Sequence, residues 1–113
     1  MIDTHAHPQL FTDPAKQIQN ALDNNIKEIF CISTKITDYE ILKNLQTKFG
    51  ANKIKIAVGE HPLNDLHLLT NTDYEKLHYY ASNNLINAIG ELGFDSKGDY
   101  NEQIKSFDKQ VDI

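Results

Sequence analysis

Short apolar runs alternate along the chain with stretches whose apolar residues recur at helical spacing, the pattern of consecutive βα units. Met1–Thr4 predicts a first strand. Asp13 is placed to cap a helix with Pro14 at its first position. Ala15, Ile18, Ala21 and Leu22 fall on one face of that helix, and Asn24-Asn25 is the polar break that ends it. Ile26–Ile32 predicts the second strand. Thr37 and Glu40 read as a capping box for a helix that packs through Ile41, Leu42, Leu45 and Phe49 and stops at Gly50. Lys53–Val58 predicts the third strand, followed by a loop from Gly59 to about Asn71. Thr72 and Glu75 form a second possible capping box, opening a helix with Tyr74, Leu77 and Ala81 on one face. Leu85–Ile89 predicts the fourth strand, Gly90–Asp99 a loop, and the last helix carries Ile104, Phe107 and Val111.

Four consecutive βα units therefore make an α/β protein with a parallel sheet, without linker or low-complexity tract. Periodicity does not decide between an open sheet and a segment of a barrel. The last helix stops at Ile113 directly after an apolar position, with no polar tail and no C-cap glycine. A further strand or a stop signal is expected there, so the chain reads as interrupted.

Composition narrows the reading. The 113 residues suffice for one domain with a modest core, burying roughly two thirds of the unfolded surface. The formal net charge of −5 leaves no broad basic face, which argues against coating nucleic acid through phosphate neutralisation alone. A nuclease is not excluded, because bound metal ions bring their own positive charge. Cys31, the only cysteine, stands in the apolar run Ile29-Phe30-Cys31-Ile32 and reads as a small buried hydrophobe. The N-terminus has neither a basic nor an apolar leader region, and no apolar run approaches the ~18 residues of a membrane span. A reduced cytoplasmic setting without membrane contact is the expectation.

Chemistry-bearing residues gather at the ends of predicted strands: His5 and His7 after the first, His61 after the third, Glu91 after the fourth. Sites of parallel β/α proteins lie at these C-terminal ends. Residues i and i+2 of an extended chain point to the same side, about 6–7 Å apart. Two imidazoles so placed can converge on one divalent metal. The plainer reading of His5-Ala6-His7 is two polar loop residues. Asp3 could orient a histidine or simply be a solvated strand residue. Glu91 lies between Gly90 and Gly93, which is unusual for a solvated face; it could bridge two metals or sit in a turn. Asp95 reads better as a structural residue of the same loop. His61, in Gly59-Glu60-His61-Pro62, could donate to a substrate phosphate or be a surface turn residue. His67 and His78 read as surface or packing residues.

Taken together, these segments resemble the TatD family of metal-dependent deoxyribonucleases. Ile2-Asp3-Thr4-His5-Ala6-His7 is similar to the family's opening strand, and Ala57-Val58-Gly59-Glu60-His61-Pro62 to its Gly-x-His-Pro segment. Ala88-Ile89-Gly90-Glu91-Leu92-Gly93-Phe94-Asp95 is similar to its Gly-Glu-x-Gly-Leu-Asp segment, and Gln103, Phe107 and Gln110 match spaced residues of the helix that follows. The matches occur in the family's order from Met1 to Ile113. Phe94 stands where the family has leucine, and Glu60 where it has an uncharged residue.

The resemblance implies the first four βα units of a TIM-type (β/α)8 metal-dependent hydrolase barrel, incomplete, with residues 1–113 as the N-terminal half of a truncated or split domain. It implies His5, His7 and Glu91 as metal ligands, Glu91 as the catalytic residue bridging two ions, and His61 near the substrate phosphate. The cofactors would be divalent metal ions, with Mg²⁺, Mn²⁺ and Zn²⁺ not distinguishable. DNA would be the substrate, cut at phosphodiester bonds, and a second chain supplying strands five to eight would be the partner. The family's other ligands, two histidines and an aspartate, find no match here, so the half chain alone is expected to be inactive. Two other readings stay open: a non-catalytic truncated remnant, and a small α/β binding module in which the histidines are incidental.

Overall fold

The computed structural model of the chain describes residues 1–64 and 69–113. Strands β1 (Ile2–Ala6), β2 (Glu28–Ile32), β3 (Ile54–Val58) and β4 (Ala88–Ile89) form one sheet in the order β1-β2-β3-β4, with every pair parallel. Helices α1 (Pro14–Asp23), α2 (Tyr39–Phe49), α3 (Asn71–Ser82) and α4 (Tyr100–Val111) follow the strands in turn. A doubly wound sheet reverses its strand order at a switch point; this one does not. Successive right-handed crossovers without reversal keep all helices on one side, as in a barrel wall.

Alternation along the strands makes the two faces of that wall. Ile29, Cys31, Ile54, Ile56 and Val58 are buried and pack with Ile18 of α1, Leu42 and Leu45 of α2, and Leu77 of α3. The opposite face carries Glu28, Phe30, Ile32 and Lys55, all only partly covered. In a closed barrel that face is the interior, filled in layers by all the strands.

Helix ends explain how each helix feeds the next strand. Asp13 caps α1 by accepting from Lys16 N–H at 3.0 Å. Asn25 (φ 67°) and Asn84 (φ 55°) then take the left-handed conformation after α1 and α3. Ile26 N–H returns to Ala21 and Leu85 N–H to Tyr80, closing both helices as Schellman turns, with Ile26 and Leu85 joining the core. Gly50 (φ 99°) ends α2 as expected.

Three expectations need correction. The Thr37/Glu40 box does not form. A 3-10 turn, Ile36–Asp38, precedes α2, and the Asp38 carboxylate takes the N–H groups of Thr34 and Lys35 at 2.9 and 3.3 Å. The third helix is capped two residues earlier than the Thr72/Glu75 pattern: Thr70 and Asp73 form the box. On α4 the deeply buried residues are Gln103 and Gln110, while Val111 is exposed. Among the described residues, no helix is long and apolar enough to cross a membrane.

Candidate metal centre

β1 runs past its expected end at Thr4, so His5 lies within the strand and His7 directly after it. The pairing of β1 with β2 shifts register between Asp3 and Ala6. Asp3 accepts the backbone N–H of His5 at 3.1 Å and thus shapes this irregular segment. The group that orients an imidazole is the Ile32 carbonyl at the end of β2, 2.8 Å from His7 Nδ1. A carbonyl only accepts, so Nδ1 carries the proton and Nε2 presents its lone pair.

Glu91 arrives from the end of β4, two residues beyond Ile89. Gly90 N–H continues the β3–β4 ladder to Val58 O at 3.0 Å, and the Gly90–Glu91 peptide is cis. Glu91 Oε2 lies 3.5 Å from His5 Nε2 and 3.4 Å from His7 Nε2, and the two nitrogens are 2.9 Å apart. Ligand bonds of ~2.0–2.2 Å at tetrahedral angles separate donor atoms by about 3.3–3.5 Å. Two sides of the triangle already have that length, and the third needs to open by a few tenths of an ångström. Donor chemistry agrees: two imidazoles and a carboxylate suit a divalent ion of borderline character.

His61 enters from the loop after β3. Its Nδ1 accepts the Leu63 N–H at 3.1 Å, so in the neutral ring the proton sits on Nε2. That Nε2 lies 3.5 Å from Glu91 Oε1, the carboxylate oxygen turned away from the other histidines. His61 therefore presents a donor, whereas His7 presents a lone pair. Beside it is a cavity of about 300 Å³ lined by Glu60, His61, Asn64, Gln103 and Gln110 among others.

The structure thus brings His5, His7, Glu91 and His61 together at one end of the sheet. It leaves the other candidates outside. Asp95 makes a turn, accepting from Lys97 N–H at 2.8 Å. Cys31 is fully buried, and burial pushes its thiol up to about 12. His78 is exposed on α3, where its ring pairs with Ser82. His67 lies outside the described residues.

The model of TatD related DNases matches residues 2–113 of this chain. The chain belongs to that family. Among solved structures, that of YjjV, a TatD homologue from Escherichia coli K12, superposes with a TM-score of 0.83 at 22% identity, over 99% of this chain and 45% of that one. The likeness carries the fold: this TatD-family chain has the layout of part of a β/α barrel and spans less than half the length of that solved relative. No curated protein matches it.

Sequence reasoning missed several groups that hold this candidate site in shape. The Ile32 carbonyl leaves no trace in side-chain patterns. Ser33, fully buried, donates to Gly59 O at 3.0 Å and accepts Gly59 N–H at 2.9 Å, tying the ends of β2 and β3. A serine directly after an apolar strand was the available signal.

Proposed function

We propose that this chain carries one wall of a two-metal phosphodiesterase site, with DNA as the substrate. The observation that supports it best is the convergence of His5 Nε2, His7 Nε2 and Glu91 Oε2, with the His61 donor aimed at the other oxygen of Glu91. Divalent metal in such a site supplies Lewis acidity toward a phosphoryl oxygen and a water acidified to near-neutral pKa.

The chain's own residues divide the remaining work. His5 and His7 would hold one ion, His7 in the tautomer fixed by Ile32 O. Glu91 would be the catalytic residue, its carboxylate facing the two histidines through Oε2 and His61 through Oε1. His61, whose Nε2–H is a donor, would bind a phosphate oxygen of the substrate. The net charge of −5 fits this division, because the ions rather than a basic surface attract the nucleic acid. Strands five to eight of a complete barrel would bring the family's other ligands, two histidines and an aspartate.

The test is a titration of the purified chain with Co²⁺, followed by its visible absorption, beside digestion of single-stranded DNA with Mn²⁺. We expect binding that is lost in Glu91→Ala, and no turnover by this chain alone. Absence of Co²⁺ binding, or an unchanged affinity in Glu91→Ala, overturns the reading.

A further inference from the structure

Two glutamines on the inner face of α4 make the same unusual contact with two different loops. Gln110, 2% exposed, accepts the Glu60 N–H at 2.8 Å and donates to the Glu60 carbonyl at 3.3 Å. Gln103, 4% exposed, accepts the Asp95 N–H at 2.8 Å and donates to the Asp95 carbonyl at 2.9 Å. A glutamine amide has one acceptor and two donors. Each amide here satisfies both backbone groups of one residue, as an adjoining strand would.

The contacts fall where the sheet stops. The β3–β4 ladder has its last paired residues at Val58 and Ile89 and ends with the Gly90 N–H on Val58 O, so Glu60 and Asp95 lie beyond it. Glu60 immediately precedes His61, and Asp95 lies four residues after Glu91. Between the glutamines on the same helix face, the Phe107 ring packs 4.8 Å from that of Phe94. The fit is reciprocal. A Cβ on Gly59 would come within 3.0 Å of Gln110 Oε1, and one on Gly98 would overlap the Gln103 amide. Each glutamine occupies space that a glycine leaves open.

We propose that Gln110 and Gln103 are separate positioning residues for the two loops of the site, Gln110 setting His61 and Gln103 setting Glu91. The assignment of consequences to metal and phosphate rests on the function proposed above; the clamping itself does not. A mere docking role for α4 predicts that loss of either amide loosens both loops together. Separate clamping predicts two local and different effects.

The experiment compares Gln103→Leu and Gln110→Leu in the ¹⁵N-labelled chain, with amide exchange measured relative to core-strand amides. Gln110→Leu should speed exchange at Glu60 about tenfold while sparing Asp95, and should shift the His61 ring nitrogens. Gln103→Leu should do the reverse, sparing His61 and weakening Co²⁺ binding about tenfold, whereas Gln110→Leu keeps Co²⁺ affinity within about twofold. Equal loosening of both loops in both variants, or an unchanged cognate amide, overturns the proposal. If a leucine variant does not fold, Gln103→Glu or Gln110→Glu keeps the acceptor and removes the donor. The cognate N–H should then stay protected, and its loss of protection counts against the clamp. Failure of the wild-type chain to bind Co²⁺ sinks the proposed function, while the exchange rates still decide this inference.

Discussion

His7 Nδ1 donates to the Ile32 carbonyl across 2.8 Å. His5 has no backbone carbonyl on its ring among the described residues: its Nε2 meets the Nε2 of His7 at 2.9 Å, and its side chain is 53% exposed against 25% for His7. The two histidines, alike in sequence, thus differ in preparation for a metal. His7 is held in the right tautomer and rotamer, whereas His5 must surrender rotamer freedom on binding. His7→Ala should therefore cost more Co²⁺ affinity than His5→Ala, about 100-fold against about 10-fold. Titrations of the two variants under one buffer check the order. Equal losses would mean that the Ile32 contact does not prepare the site.

Glu60 gives the chain a pH dependence with a definite sign. Its carboxyl is 4% exposed, and burial raises its pKa from 4.5 to about 7, against the opposing hydrogen bonds from Asn64 and Ile36 N–H. Between those values the folded chain holds a proton that the unfolded chain has released. Glu60's contribution to stability is fully present below about pH 4.5 and is lost as pH rises through about 7. Glu60→Gln should remove this loss. Thermal melts should place the variant above the wild type by roughly 5 °C at pH 8, and level with it or below at pH 4.5. A gap that is constant across pH would assign the effect to packing.

Asp38 is 4% exposed, and its Oδ2 accepts from Thr34 N–H, the Thr34 hydroxyl, Lys35 N–H and Gln9 Nε2 at 2.9–3.4 Å. Asp38→Ala leaves several of these donors without a partner and should destabilise the chain by about 2–4 kcal/mol. Thr37→Ala and Glu40→Ala, at the positions that resemble a capping box in sequence, should each change stability by less than ~0.5 kcal/mol. Chemical denaturation of the three variants checks the contrast.

That contrast shows where the sequence is readable. Strands and helices were legible because their apolar periodicity reports burial directly, as Leu42 and Leu77 illustrate. The meeting of His5, His7 and Glu91 was legible because strand ends in parallel β/α proteins converge. Caps were less so. The Ser/Thr-x-x-acid pattern occurs at Thr70/Asp73 and again at Thr72/Glu75, and the choice is made by Leu69, which is buried with the core just before Thr70. The inner face of α4 misled for a related reason. Apolar spacing selects Ile104, Phe107 and Val111, but the unpaired backbone of Glu60 and Asp95 needs amides, so Gln103 and Gln110 turn inward. A rule that places polar residues outside fails wherever strand ends leave buried groups to satisfy.

Gly59 and Gly98 separate a backbone requirement from a side-chain one. A Cβ on Gly59 would stand 2.8 and 2.9 Å from the backbone of Gly90, the residue that precedes Glu91. Backbone held by the Gly90–Val58 hydrogen bond cannot move aside without parting β3 from β4. A Cβ on Gly98 meets mainly the far end of the Gln103 side chain, which can rotate. Gly59→Ala should thus destabilise the chain by about 1–3 kcal/mol, by parting the strand ends that carry His61 and Glu91. It should also lower Co²⁺ affinity, since Glu91 moves relative to His5 and His7. Gly98→Ala should disturb the Asp95 amide through Gln103 but keep most of the stability. Denaturant midpoints and Co²⁺ titrations of both variants distinguish the two. A Gly59→Ala chain with wild-type stability and wild-type affinity would show that the close approach of Gly59 to Gly90 is not what sets the distance between the site's two halves.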